Sequence, residues 1–162
     1  MNYEIGDTVV HWTHGFGTVI AIDQMDLAGT SRQYYVVEAG LLKLWVPVEE
    51  ADLGSIRLPT KRVHFEALFD ILRAPGKPLP DNQYQRKLQL RERIQKRTLE
   101  DLCHIIRDLS DLAGEHTLNT YDASVLFRAE EALLDEWVHS LGVERDSALL
   151  ALEGLLGRES KP

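Results

Sequence analysis

The sequence predicts an α+β protein, with a small β-barrel module over residues 1–58 followed by an all-helical bundle over residues 59–160. Two observations carry this. Up to residue 50 the apolar residues come in short β-branched and aromatic runs, and after Pro59 they switch to helical spacing. Gly6, Gly15, Gly17, Gly29 and Gly40 separate the early runs. With 162 residues and 44% hydrophobic content, the chain has enough apolar side chains for one domain or two small ones.

The strand candidates are residues 7–10, 18–22, 34–38 and 41–48, each rich in Val, Ile, Thr, Tyr or Trp. Their close spacing suggests a curled five-strand barrel of the SH3 or Tudor kind. Gly15 and Gly17 read as turn glycines supplying positive φ. A phosphate cradle would need a helix N-terminus after them, and strand residues follow instead.

Past Pro59, Phe65, Leu68, Phe69 and Leu72 fall on one helical face. Pro75, Pro78 and Pro80 then break the chain. Asp81 or Asn82 can cap the next helix, which reaches about Lys96. Thr98 can cap another, with Asp101 three residues on and an apolar stripe of Leu99, Leu102, Cys103, Ile106 and Leu109. Asn119 or Thr120 opens a long helix containing Val125, Leu126, Ala129, Leu133 and Trp137, which Gly142 ends. A last helix uses Ala148, Leu149, Leu152 and Leu155.

A net charge of -8 argues against a nucleic-acid partner, but the charge is unevenly spread. Residues 61–112 carry 11 basic and 8 acidic side chains, while the segments on either side are acidic. Within that stretch Arg86, Lys87, Arg91, Arg93, Lys96 and Arg97 face a single acid, Glu92. Arg86, Arg93 and Arg97, spaced by seven and four, share one side of a helix and are candidates for phosphate contact. No stretch approaches the ~20 apolar residues of a membrane span, and no basic patch and apolar run opens the sequence. The single cysteine excludes an internal disulfide framework. A cytoplasmic monomer without cofactor or metal is expected.

The ordered motifs resemble the CarD/CdnL family of bacterial transcription regulators. They are Ile5-Gly6-Asp7-Thr8-Val9-Val10, His14-Gly15-Phe16-Gly17, Gly29, Tyr34-Tyr35-Val36, Val46-Pro47-Val48, Gly54 with Ile56-Arg57, Ile71-Leu72-Arg73-Ala74-Pro75 and Ile105-Ile106-Arg107-Asp108-Leu109. The resemblance implies a Tudor-like module that binds the β subunit of RNA polymerase. It also implies a helical domain that meets promoter DNA at the upstream edge of the transcription bubble and stabilises the open complex. The implied polymerase contacts are Met25, Leu42, Lys43, Leu44, Trp45, Val46 and Pro47. The implied DNA contacts are Gln83, Tyr84, Arg86, Lys87, Arg93 and Arg97. The family's Trp-x-Arg-Arg-Tyr stretch, whose tryptophan wedges into the minor groove, corresponds here to Gln83-Tyr84-Gln85-Arg86-Lys87. Gln83 replaces the wedge, and Tyr84 stands one place late. Trp12 stands where the family often has proline.

Other chemistry has little support. His11 and His14 lack companions at metal-ligand spacing and read as structural or surface groups. Cys103 reads as a buried small hydrophobe and Trp137 as core. Trp45 fits core or interface equally. No G-x-S-x-G, Walker A, H-E-x-x-H or paired Cys-x-x-Cys is present, so no enzymatic activity is expected. The transcription-repair coupling factor has a similar β module, but this chain lacks a helicase motor. A second reading keeps the polymerase contact and makes the acidic helical domain an adaptor for another protein.

Overall fold

A computed structural model describes residues 2–158. The chain divides between Pro59 and Thr60 into two compact units. The first holds strands β1 (Thr8–His11), β2 (Gly15–Leu27), β3 (Thr30–Ala39), β4 (Leu42–Pro47) and β5 (Ile56–Arg57), with a short helix α1 (Val48–Asp52) between the last two strands. The strands form one antiparallel sheet in the order β4-β3-β2-β1-β5. The second unit holds α2 (Phe65–Arg73), α3 (Gln83–Gln95), α4 (Leu99–Glu115), α5 (Thr120–Leu141) and α6 (Arg145–Leu155). The expected α+β architecture is thus present.

The sheet core gathers Tyr3, Val9, Val19, Tyr35, Val37 and Val46. Tyr3 meets Tyr35 edge-on at 5.4 Å, and its hydroxyl donates to the Ile56 carbonyl at 3.0 Å. Strand β2 runs five residues beyond the apolar run that marks it in the sequence, into a β2–β3 arm closed by Ala28 (φ 50) and Gly29 (φ 77). Two central residues with positive φ match the twist of a tight hairpin. Gly15 has the expected positive φ of 74, but Gly17 is no turn glycine. It lies within β2, where a Cβ would stand 2.6 Å from Val37 Cγ1, so close packing of the strands requires glycine there.

In the helical unit the local capping signals act as expected. Asn82, Thr98 and Asn119 each accept an amide hydrogen bond three residues on, from Gln85, Asp101 and Asp122 at 3.0, 3.1 and 2.8 Å. Gly142 ends α5 in the left-handed conformation. Phe65, Leu68, Cys103, Ile106, Leu133 and Trp137 are among the buried core residues, with the Phe69 ring tilted against Trp137 at 4.7 Å. Leu149 departs from expectation. Ala148 and Leu152 take the buried stripe of α6, and Leu149 and Leu150 face outward.

Candidate functional site

Two surfaces bring the expected contact residues together, one in each unit. In the first, β4 forms an edge of the sheet. Alternation divides its residues between the two faces. Leu42, Leu44 and Val46 pair with Ala39, Val37 and Tyr35 on the core side, and Val46 is buried. Its side chain, expected among the polymerase contacts, therefore lies in the sheet core. Lys43, Trp45 and Pro47 lie on the outer side opposite Glu38, Val36 and Tyr34. Trp45 is 46% exposed, which decides its role against core.

A β-bulge between Val19 and Ala21 adds Met25 to this outer face. Val19 pairs with the inward Val37, while Ala21 pairs with the outward Val36, so every odd residue after the bulge points outward. Ala21, Val36 and Trp45 make one cross-strand row, and Asp23, Tyr34 and Pro47 make the next. Met25, opposite Arg32, makes a third. Val36 and Tyr34 are nearly covered although they lie outside the core cluster, so the outer face carries its own apolar stripe.

The second surface is the start of α3. Gln83 is exposed and Tyr84 is 69% exposed. Tyr84, Lys87, Leu88 and Arg91 form one outward face at helical spacing. The Lys87 ammonium also lies 4.8 Å from the centroid of the Tyr121 ring.

The arginines expected on phosphate lie elsewhere. Arg86 is 8% exposed. Its Nε donates to Asp122 Oδ2 at 2.8 Å, and Nη1 donates to the carbonyls of Pro80 and Asp81 at 3.0 and 3.3 Å. Arg93 donates from Nη1 to the buried Asp108 Oδ2 at 2.7 Å. The shared side of Arg86 and Arg93 is real, but it faces the bundle, so their guanidinium groups are committed inside the fold. Arg97 is half-buried at the α3–α4 corner with a φ of 59.

Asp108 also accepts from the Lys77 amide at 2.8 Å and from Arg107 Nε at 3.0 Å. Burial pushes its carboxyl up. The hydrogen bonds from Arg93, Lys77 and Arg107 outweigh that, and its pKa lies below the ordinary carboxylate value.

Cys103 is fully buried, and burial pushes its thiol up to about 12, which leaves it protonated and inert near neutrality. His11 Nδ1 accepts from the amides of Thr13 and His14 at 3.1 and 3.2 Å, a turn-forming role. Trp137 is buried as expected. Among the described residues no helix is long and apolar enough to cross a membrane.

Comparison with known proteins matches this division of the chain. Residues 3–58 match the CarD-like/TRCF RID domain, and residues 67–153 match the CarD C-terminal domain. The chain belongs to the CarD family. This CarD-family chain is also 25% identical over 138 residues to "Putative transcription factor YdeB" of Bacillus subtilis (strain 168), covering 83% of this chain and 89% of that protein. A role connected with transcription follows from the two domains together. The similarity thus runs across both units of this chain.

Proposed function

We propose that this protein binds the β subunit of RNA polymerase through the outer face and free edge of β4, and stabilises the open promoter complex through the first turns of α3. The exposed Trp45 on an edge strand carries the reading. An edge strand leaves a row of backbone N–H and C=O groups outside the ladder, and a partner strand can pair with them. Lys43, Trp45, Pro47 and Met25 then supply side-chain selectivity on one face. Leu42 and Leu44, on the opposite face of the strand, border that contact.

On DNA, Lys87 and Arg91, which share the outward face of Tyr84, take the phosphate role in place of Arg86 and Arg93. Tyr84 offers a ring of the kind that enters a base step, while the Gln83 amide favours water or a hydrogen bond. Both are exposed, and one helical residue separates them by about 100°. Each DNA contact is weak, and tethering to polymerase raises its effective concentration. A protein that favours the melted complex over the closed one shifts the balance toward melting by that difference in affinity.

Open-complex lifetime on a single promoter tests the DNA half. Gln83→Trp is expected to lengthen it, and Tyr84→Ala or Lys87→Ala with Arg91→Ala to shorten it. Unchanged lifetimes in all three, with polymerase binding intact, would replace this reading by the adaptor one. The outward Leu150, 67% exposed beside Leu149 in the acidic C-terminal segment, favours that alternative.

A further inference from the structure

The proline-rich segment 74–82, which the sequence marks only as a break, is held at both ends by side chains from other helices. Its first half is read by two carboxylates one turn apart on α4. The Gly76 amide donates to Asp111 Oδ2 at 2.5 Å, and the Lys77 amide donates to Asp108 Oδ1 at 2.8 Å. The approach at Gly76 is so close that a Cβ there would stand 2.4 Å from Asp111 Oδ2 and 2.8 Å from its Cβ. Only glycine fits without displacing that side chain. The Ala74 amide is taken up by the carbonyls of Asp70 and Ile71 at the end of α2. Pro75, Pro78 and Pro80 have fixed φ and no amide hydrogen to satisfy.

The second half is gathered by Arg86. One of its nitrogens spans the Pro80 and Asp81 carbonyls while another bonds Asp122 in the first turn of α5. The segment ends on Asn82, whose side chain caps α3 through the Gln85 amide. These directional ties, with Leu79 packed against the helical core, give segment 74–82 a fixed path from α2 across α4 to α5. The first turn of α3 begins where that path ends.

We propose that Asp108, Asp111, Arg86 and Asp122 are positioning residues that hold segment 74–82 as a strap and thereby set the rotational phase of the first turn of α3. This rests on the DNA role proposed above for that turn. The phase matters because Gln83 and Tyr84 differ by about 100° around the helix, so the rotational setting of the turn decides which of them faces a base step. Arg86 within α3 fixes this choice together with the carboxylates on α4 and α5.

Asp111 provides the cleanest test because it is exposed and touches the strap rather than the core. In the full-length protein, Asp111→Ala is expected to speed amide hydrogen exchange at Gly76 by roughly tenfold, the loss of one charge-assisted hydrogen bond. Exchange at Gln85 and Arg86 is expected to rise with it, open-complex lifetime to shorten, and polymerase binding to hold. Asp111→Asn keeps an acceptor oxygen and is expected to behave as wild type, and Gly76→Ala to reproduce Asp111→Ala. Exchange at Gln85 and Arg86 that stays at the wild-type rate while Gly76 is released would overturn the proposal. So would an unchanged lifetime in Asp111→Ala where Tyr84→Ala shortens it. If Tyr84→Ala also leaves the lifetime unchanged while exchange at Gln85 and Arg86 rises, the DNA role fails and the functional part of the proposal with it.

Discussion

Arg86→Ala is expected to destabilise the helical unit by about 3–5 kcal/mol, the usual cost of removing one partner from a buried ion pair. The substitution strips Asp122, which is 1% exposed, of its guanidinium partner and leaves the Pro80 and Asp81 carbonyls without theirs. Urea unfolding followed by helical circular dichroism measures the loss. Were Arg86 a solvent-facing phosphate contact, its removal would change stability by no more than about 0.5 kcal/mol, as for ordinary surface positions. Asp122→Ala should cost a similar amount. The double variant should cost clearly less than the sum, because the second substitution no longer strands a buried charge. A purely additive pair would mean that the two side chains do not act together. Any loss of DNA engagement in Arg86→Ala therefore follows from a misplaced or melted α3, not from a missing phosphate contact.

The second large effect separates two neighbouring residues of β4. Trp45→Ala is expected to weaken polymerase binding by about 2 kcal/mol or more, in the range of an aromatic hot spot and close to 30-fold in affinity, with the fold intact. Val46→Ala is expected to act the other way round. Its side chain is 4% exposed within the sheet core, and its truncation costs about 1–3 kcal/mol of stability while leaving the binding face in place. Titration of labelled protein with polymerase, paired with thermal unfolding of each variant, reads both quantities. Equal binding losses in both variants with unchanged stability would contradict the assignment of the two faces.

Features set by neighbouring residues were legible in the sequence. Asn82, Thr98 and Asn119 cap their helices because the capping bond reaches only three residues along the chain. The periodicity changes near Pro59, and the chain divides between Pro59 and Thr60. Features set by distant residues were not. Spacing places Arg86 and Arg93 on one side of α3 but cannot say which side faces the bundle. That is decided by Asp122 and Asp108, 36 and 15 residues away. The outward turn of Met25 depends on the bulge between Val19 and Ala21, which no composition signal marks. The five polar-rich residues at the end of β2 hid the hairpin arm, since a strand exposed on both sides loses the alternation that betrays it. In α6 the sequence offers more leucines than the stripe can bury, and Leu149 is the one left out.

The central claim is that the sheet unit docks on RNA polymerase through β4. The most direct measurement is retention of purified core polymerase on the immobilised full-length protein, compared with Trp45→Ala and with Lys43→Glu. Wild type is expected to retain polymerase, and a crosslink placed at Lys43 to join it to the β subunit, while both variants lose most of the retention and remain folded. Retention by all three proteins, or a crosslink from Lys43 to no polymerase subunit, would contradict the account.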